Sequence, residues 1–192
     1  MSAIATRRWK RVEYERMVEC GIFQPGEHLE LLDGLLVLRE PQSEPHVIAL
    51  LKSQTALQRA FGAGWHVRPA APVALDDDSE PEPDLAVVPG EPDDYLPGHP
   101  SHPALVVEVA LTSLAMDREY KSSLYARAGI ADSWIVNLVD RVVEVRRRPV
   151  VSEGAPYRFA YAELTVFGPG DAVAPLAMPT AFVAVADLLP RA

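Results

Sequence analysis

Glu108 is the residue whose setting most demands a chemical explanation. It sits in Leu105-Val106-Val107-Glu108-Val109, the most apolar strand-like run of the chain. A buried carboxylate is costly unless it is paired or bound to metal. Period-two alternation puts Val106, Glu108 and Ala110 on one face and Leu105, Val107 and Val109 on the other. Asp84 follows Pro83 and opens a second apolar strand, Leu85 to Val88. Alone it reads as a turn acid. Two acids on neighbouring strands facing one side make a site for a hard divalent cation, since Mg²⁺ needs few protein oxygens and keeps several waters. The Val109 carbonyl is a further donor. Lys121 shares a predicted helix face with Asp117 and Tyr125, at i, i+4 and i+8. From there it could orient an attacking water or offset charge on a phosphorane-like transition state.

Each residue also has a plainer reading. Glu108 could belong to a buried salt bridge with an arginine. Asp117 and Lys121 could be a solvated pair. Glu30, between Leu29 and Leu31, could be a further metal ligand or the polar side of a strand. His46 follows Pro45 at the start of a helix and reads as a capping or surface histidine. His28, His66, His99 and His102 have no metal-ligand spacing. No serine nucleophile elbow, phosphate-binding loop or dinucleotide fingerprint appears.

The elements that must position these residues are legible from turn signals and periodicity. Thr6 can cap a helix over 7–20 that ends at Cys20-Gly21. Residues 29–38 read as a hairpin turning at Asp33-Gly34. A helix follows over 46–61, then strands over 65–75, 83–88 and 104–110. Thr112 or Ser113 caps a helix that runs to Ala128 and closes at Gly129. Residues 133–138 and 141–146 form further strands, the tail from Tyr157 continues as strand, and a short helix is predicted near 183–189. The central order is helix, three strands, helix, strand, which describes an α/β (α+β) fold with a mixed sheet flanked by helices. A single domain over 1–192 is expected, with residues 7–40 as an N-terminal helix and hairpin, a core over about 46–148, and a strand extension over 156–192.

Bulk composition narrows the function. The chain has 192 residues, 48% hydrophobic and 23% charged, which suits a soluble globular domain. No apolar run is long enough to span a bilayer, and the N-terminus lacks an apolar block behind its basic residues, so the expected location is the cytoplasm. The single cysteine, Cys20, excludes an internal disulfide framework and cysteine-based zinc. The formal net charge of −9 argues against a tight non-specific DNA binder, although Arg7–Arg11 and Arg146–Arg148 concentrate positive charge.

Pro83-Asp84, the strand around Glu108, Asp117-Arg118…Lys121…Tyr125-Ala126, and Gly129-Ile130…Trp134-Ile135-Val136 together resemble the PD-(D/E)XK nuclease superfamily. More narrowly, they resemble the bacterial restriction-endonuclease family called Uma-two. Glu30-Leu31-Leu32-Asp33-Gly34 and Pro45-His46 extend the resemblance, which runs over about 7–148. It implies a restriction-endonuclease-like core, metal ligation by Asp84 and Glu108, Mg²⁺ or Mn²⁺ as the cofactor, Lys121 as the catalytic lysine, and Glu30 as a supporting acid. The superfamily's usual lysine position, two residues past the glutamate, is Ala110 here, and Lys121 replaces it from the following helix. Ala110-Leu111-Thr112 and Asn137 depart from the family pattern without removing a ligand.

The expected function is therefore metal-dependent hydrolysis of phosphodiester bonds in nucleic acid, with DNA favoured over RNA. A homodimer is expected because cutting two strands favours two sites. The competing classes are a catalytically silent binding or regulatory domain and a hydrolase of small phosphorylated molecules.

Overall fold

The apolar runs and their turn residues fold much where the sequence places them. The computed structural model describes residues 6–39 and 41–191. Helix α1 (Arg11–Glu19) leads to a hairpin of β1 (Leu29–Leu32) and β2 (Leu35–Leu38). Helix α2 (Glu44–Phe61) is followed by β3 (Trp65–Pro69), β4 (Leu85–Pro89) and β5 (Leu105–Ala110). A helical rod then runs through α3 (Leu114–Met116), a π turn (Asp117–Lys121) and α4 (Ser122–Arg127). Strands β6 (Asp132–Asn137), β7 (Val142–Val151) and β8 (Phe159–Phe167) complete a six-stranded mixed sheet in the order β3-β4-β5-β6-β7-β8. A small hairpin of β9 (Ala172–Val173) and β10 (Val183–Ala184) closes the chain with a 3₁₀ turn at Val185–Asp187.

One pairing dictates where the chemistry can sit. Strands β5 and β6 are parallel, whereas the other neighbours in this sheet are antiparallel. Parallel neighbours need a crossover connection. The rod carrying Asp117, Lys121 and Tyr125 is that connection, so it lies across the sheet beside β5. All six residues of β5 are buried. Its odd face, Leu105, Val107 and Val109, joins the main core with Leu57 and Phe61 of α2. On its even face, Val106 packs with Tyr125 of the rod and Ile130. Glu108 shares that second face, as the alternation predicts.

The first hairpin turns at Asp33 (φ 49°) and Gly34 (φ 78°), the two left-handed residues of a type I′ turn. A Cβ at Gly34 would stand 2.6 Å from that of Arg8, so glycine is required there for space as well.

Three boundaries differ from expectation. The first helix starts at Arg11 with Lys10 at its N-cap, and Thr6 does not cap it. The Trp9 amide instead donates to the Gly34 carbonyl, tying residues before the helix to the hairpin. The strand expected to reach Leu75 stops at Pro69, where Ala70 turns to φ 40° and donates its amide to the Asp84 carbonyl. The helix expected near 183–189 is only the β10 bridge and one 3₁₀ turn. The predicted Gly129 stop holds, with φ 75°. Among the described residues no helix is long and apolar enough to cross a membrane.

Candidate active site

Asp84 precedes β4 and Glu108 lies in β5, and the antiparallel register that pairs Leu85 with Val107 sets them opposite each other. Backbone amides lock the pair together. The Asp84 amide donates to Glu108 Oε2 at 3.3 Å, and the Val109 amide donates to Asp84 Oδ2 at 2.7 Å. Lys121 comes in from the crossover rod, with Nζ 3.2 Å from Glu108 Oε1 and 3.1 Å from Glu30 Oε1. Glu30 itself comes from β1 and accepts the Glu82 amide at 3.1 Å. The four residues singled out in the sequence thus converge, each at most 6% exposed. They line one cavity of about 390 Å³, whose other walls include Leu32, Val37, Leu38, Leu111 and Met116.

The π turn bears on how the rod presents its side chains. The Ser122 hydroxyl donates to the Asp117 carbonyl at 2.7 Å, within the widened turn. Asp117 and Lys121 are both buried, so the solvated-pair reading fails. π turns inside helices are frequent at functional positions.

Four partners were not singled out as site residues in the sequence. Arg39, at the end of β2, spans three acids: Nε lies 3.1 Å from Glu30, Nη1 2.9 Å from Glu82, and Nη2 3.3 Å from Asp84. His46 Nε2 lies 3.0 Å from Asp84 Oδ2, so the surface reading of this histidine is corrected. Its Nδ1 is buried with no hydrogen-bond partner among the described residues. The Tyr125 hydroxyl donates to Glu108 Oε1 at 2.5 Å. Asp117 accepts the Ser113 hydroxyl at 2.6 Å. An arginine after a strand and a histidine after a proline carry no periodic signal that ties them to a distant acid. Tyr125 did have one, its helical spacing from Lys121.

Among the described residues, Glu30, Glu82, Asp84, Glu108 and Asp117 gather around Arg39 and Lys121, with His46 beside Asp84. Burial first, then Asp117, Asp84 and Glu30, push the Glu108 carboxyl up to about 8 despite Lys121. Burial likewise lifts Asp117 to about 6. Burial works against the Lys121 ammonium, but Glu108, Glu30, Asp117 and Asp84 outweigh it and hold its pKa above the ordinary value. Burial would raise Asp84 too, yet His46, Lys121 and the Val109 amide hold it below the usual carboxylate range.

This donor set fits a hard divalent cation of the two-carboxylate type. Asp84 and Glu108 supply adjacent oxygens in a carboxylate-rich site, and Asp84 Oδ1 lies 3.3 Å from Arg39 Nη2. No cluster of three or more His, Cys, Asp or Glu residues suited to a metal exists among the described residues. Such an ion would therefore keep several waters, as Mg²⁺ does.

The family model described as "Putative restriction endonuclease", Uma2, matches residues 11–186. The chain belongs to the Uma2 family. Among solved structures, a "putative nuclease" from Anabaena variabilis has a similar fold, with a TM-score of 0.65 at 13% identity over 88% of this chain and 94% of that one. No curated protein matches. Uma2 membership supports a nuclease-type hydrolase, and the shared fold agrees with the mixed α/β architecture expected from the sequence.

Proposed function

We propose that this Uma2 protein is a metal-dependent endonuclease that hydrolyses phosphodiester bonds in DNA. The observation that carries the reading is the meeting of Asp84, Glu108 and Lys121 at one cavity wall. Asp84 and Glu108 would hold the ion, Mg²⁺ or Mn²⁺. When bound, it would polarise the scissile phosphate and acidify a water. Glu108 and Glu30 fix the Lys121 ammonium, which would orient the nucleophile or offset developing negative charge. Tyr125 positions Glu108 by donating to the oxygen that Lys121 also contacts. On a duplex substrate two copies of the chain would be needed, one site per strand.

A specific observation favours a second reading. Arg39 is locked onto Glu30, Glu82 and Asp84, and paired charges can be a structural end in themselves. In that reading the fold is a silent binding module. The test is cleavage of labelled DNA with Mn²⁺, with and without chelator, in the wild type, Asp84→Asn and Glu108→Gln. Metal-dependent cleavage that both substitutions abolish supports the nuclease. A chain that neither binds Mn²⁺ nor cleaves is the silent module.

A further inference from the structure

The proposed reacting groups lie deep in the cavity, and that limits what can reach them. Asp84 is 4% exposed, Glu108 3% and Lys121 6%. Their cavity, about 390 Å³, falls near the low end of small-ligand pockets, roughly 300–1,000 Å³. Leu32, Val37, Leu38, Leu111 and Met116 give it apolar walls suited to the face of a base. A stacked, paired nucleotide cannot enter such a space, and enzymes that act inside pockets take the nucleotide out of the helix or act on single strands.

A second feature lies on the other side of the same π turn. There, Arg118, Tyr120, Tyr157, Phe159 and Tyr161 line an open groove of about 630 Å³. Asp117 and Lys121 of the turn line the cavity, while Arg118 and Tyr120 of the same turn line the groove. Tyr120 is 44% exposed and meets Tyr157 edge to face at 6.4 Å, with the Arg127 guanidinium 5.2 Å from the Tyr157 ring centre. Exposed aromatic rings flanked by arginines form stacking platforms for unpaired bases.

From the depth of these groups in a small cavity and the tyrosine groove beside it, we infer that the substrate is an unpaired nucleic-acid strand. One nucleotide enters the cavity, and its neighbours stack on Tyr120 and Tyr157 across the π turn. The inference rests on the nuclease reading and narrows its substrate class. One site then suffices for one strand, so activity does not require a dimer.

The test measures binding of a short labelled deoxyoligonucleotide by fluorescence anisotropy in chelator, single-stranded or as a blunt duplex, and cleavage of both in Mn²⁺. The single strand should bind about tenfold tighter and be the form cleaved. Tyr120→Ala, on an exposed position, should weaken single-strand binding about fivefold or more and leave Mn²⁺ binding unchanged. Equal or tighter duplex binding, an unaltered Tyr120→Ala affinity, or a dinucleoside phosphate bound as tightly as the longer strand would overturn the inference. Cleavage of duplex alone would overturn it and leave the nuclease reading standing. No cleavage of either form in Mn²⁺ would overturn both.

Discussion

Lys121 Nζ lies between Glu108 Oε1 and Glu30 Oε1, at 3.2 and 3.1 Å, and so joins the crossover rod to both the central sheet and the first hairpin. The lysine is 6% exposed. Removing one partner of a buried ion pair strands the other charge. Lys121→Ala therefore perturbs the fold as well as any chemistry. Lys121→Met should cost about 3–5 kcal/mol well above pH 8, where Glu108 would otherwise be ionised, read by denaturant unfolding. The loss should shrink as pH falls to 8 and below, because Glu108, pushed up to about 8 even beside the ammonium, rises further without it and takes up a proton. A loss unchanged by pH would mean that the pair is not the source.

Arg39 competes for the oxygens that a divalent ion would use. Arg39→Gln should tighten Mn²⁺ binding roughly fivefold, equivalent to about 1 kcal/mol, by freeing Asp84 Oδ1. Titration calorimetry checks this. Weaker binding in the variant would show that the guanidinium supports the metal site instead of opposing it.

The Tyr125 hydroxyl donates to the buried Glu108 carboxyl, and such a hydrogen bond contributes about 0.5–1.5 kcal/mol while that group is protonated and about 1.5–3 kcal/mol once it is ionised. Tyr125→Phe should lose stability in these ranges while keeping the ring's packing. It should also make Mn²⁺ binding more pH-dependent, because Glu108 would hold its proton more tightly. An unchanged unfolding midpoint would contradict the role.

Much of this arrangement was legible in the sequence, and the reasons are physical. Glu108 stood out because a carboxylate in an apolar run has few harmless explanations. The even face of β5 followed from strand geometry alone. The β5–β6 crossover brought Lys121 to Glu108 because parallel strands leave no shorter path. Arg39 and His46 were not legible as site residues. Their roles come from how the first hairpin and α2 dock on the sheet, a tertiary choice that local patterns do not encode. The early end of β3 was missed for a similar reason. Ala70 leaves the strand to give its amide to Asp84, a residue beyond the acidic turn.

Glu80 offers a pH test away from the proposed site. It is 3% exposed, and its Oε2 has no hydrogen-bond partner among the described residues. Arg11, Glu15, Glu82 and His99 surround it. Burial first, then Glu15, raise its carboxyl from 4.5 to about 7. The folded state thus binds this proton more tightly than the unfolded chain. Its stabilising contribution is complete below pH 4.5 and is lost as pH rises through about 7. The wild type should melt at a lower temperature at pH 8 than at pH 5.5, with about 2–4 °C for each kcal/mol lost. Glu80→Gln should raise the pH 8 value and flatten the dependence. An equally steep profile in the variant would assign the effect to other groups.

The most direct measurement is Mn²⁺ titration by calorimetry or electron paramagnetic resonance on the wild type, Asp84→Asn and Glu108→Gln. One ion per chain, lost in each variant and accompanied by chelator-sensitive cleavage of DNA, is the predicted result. Binding that survives both substitutions, or no binding by a folded wild-type chain, would contradict a metal centre built from these two carboxylates.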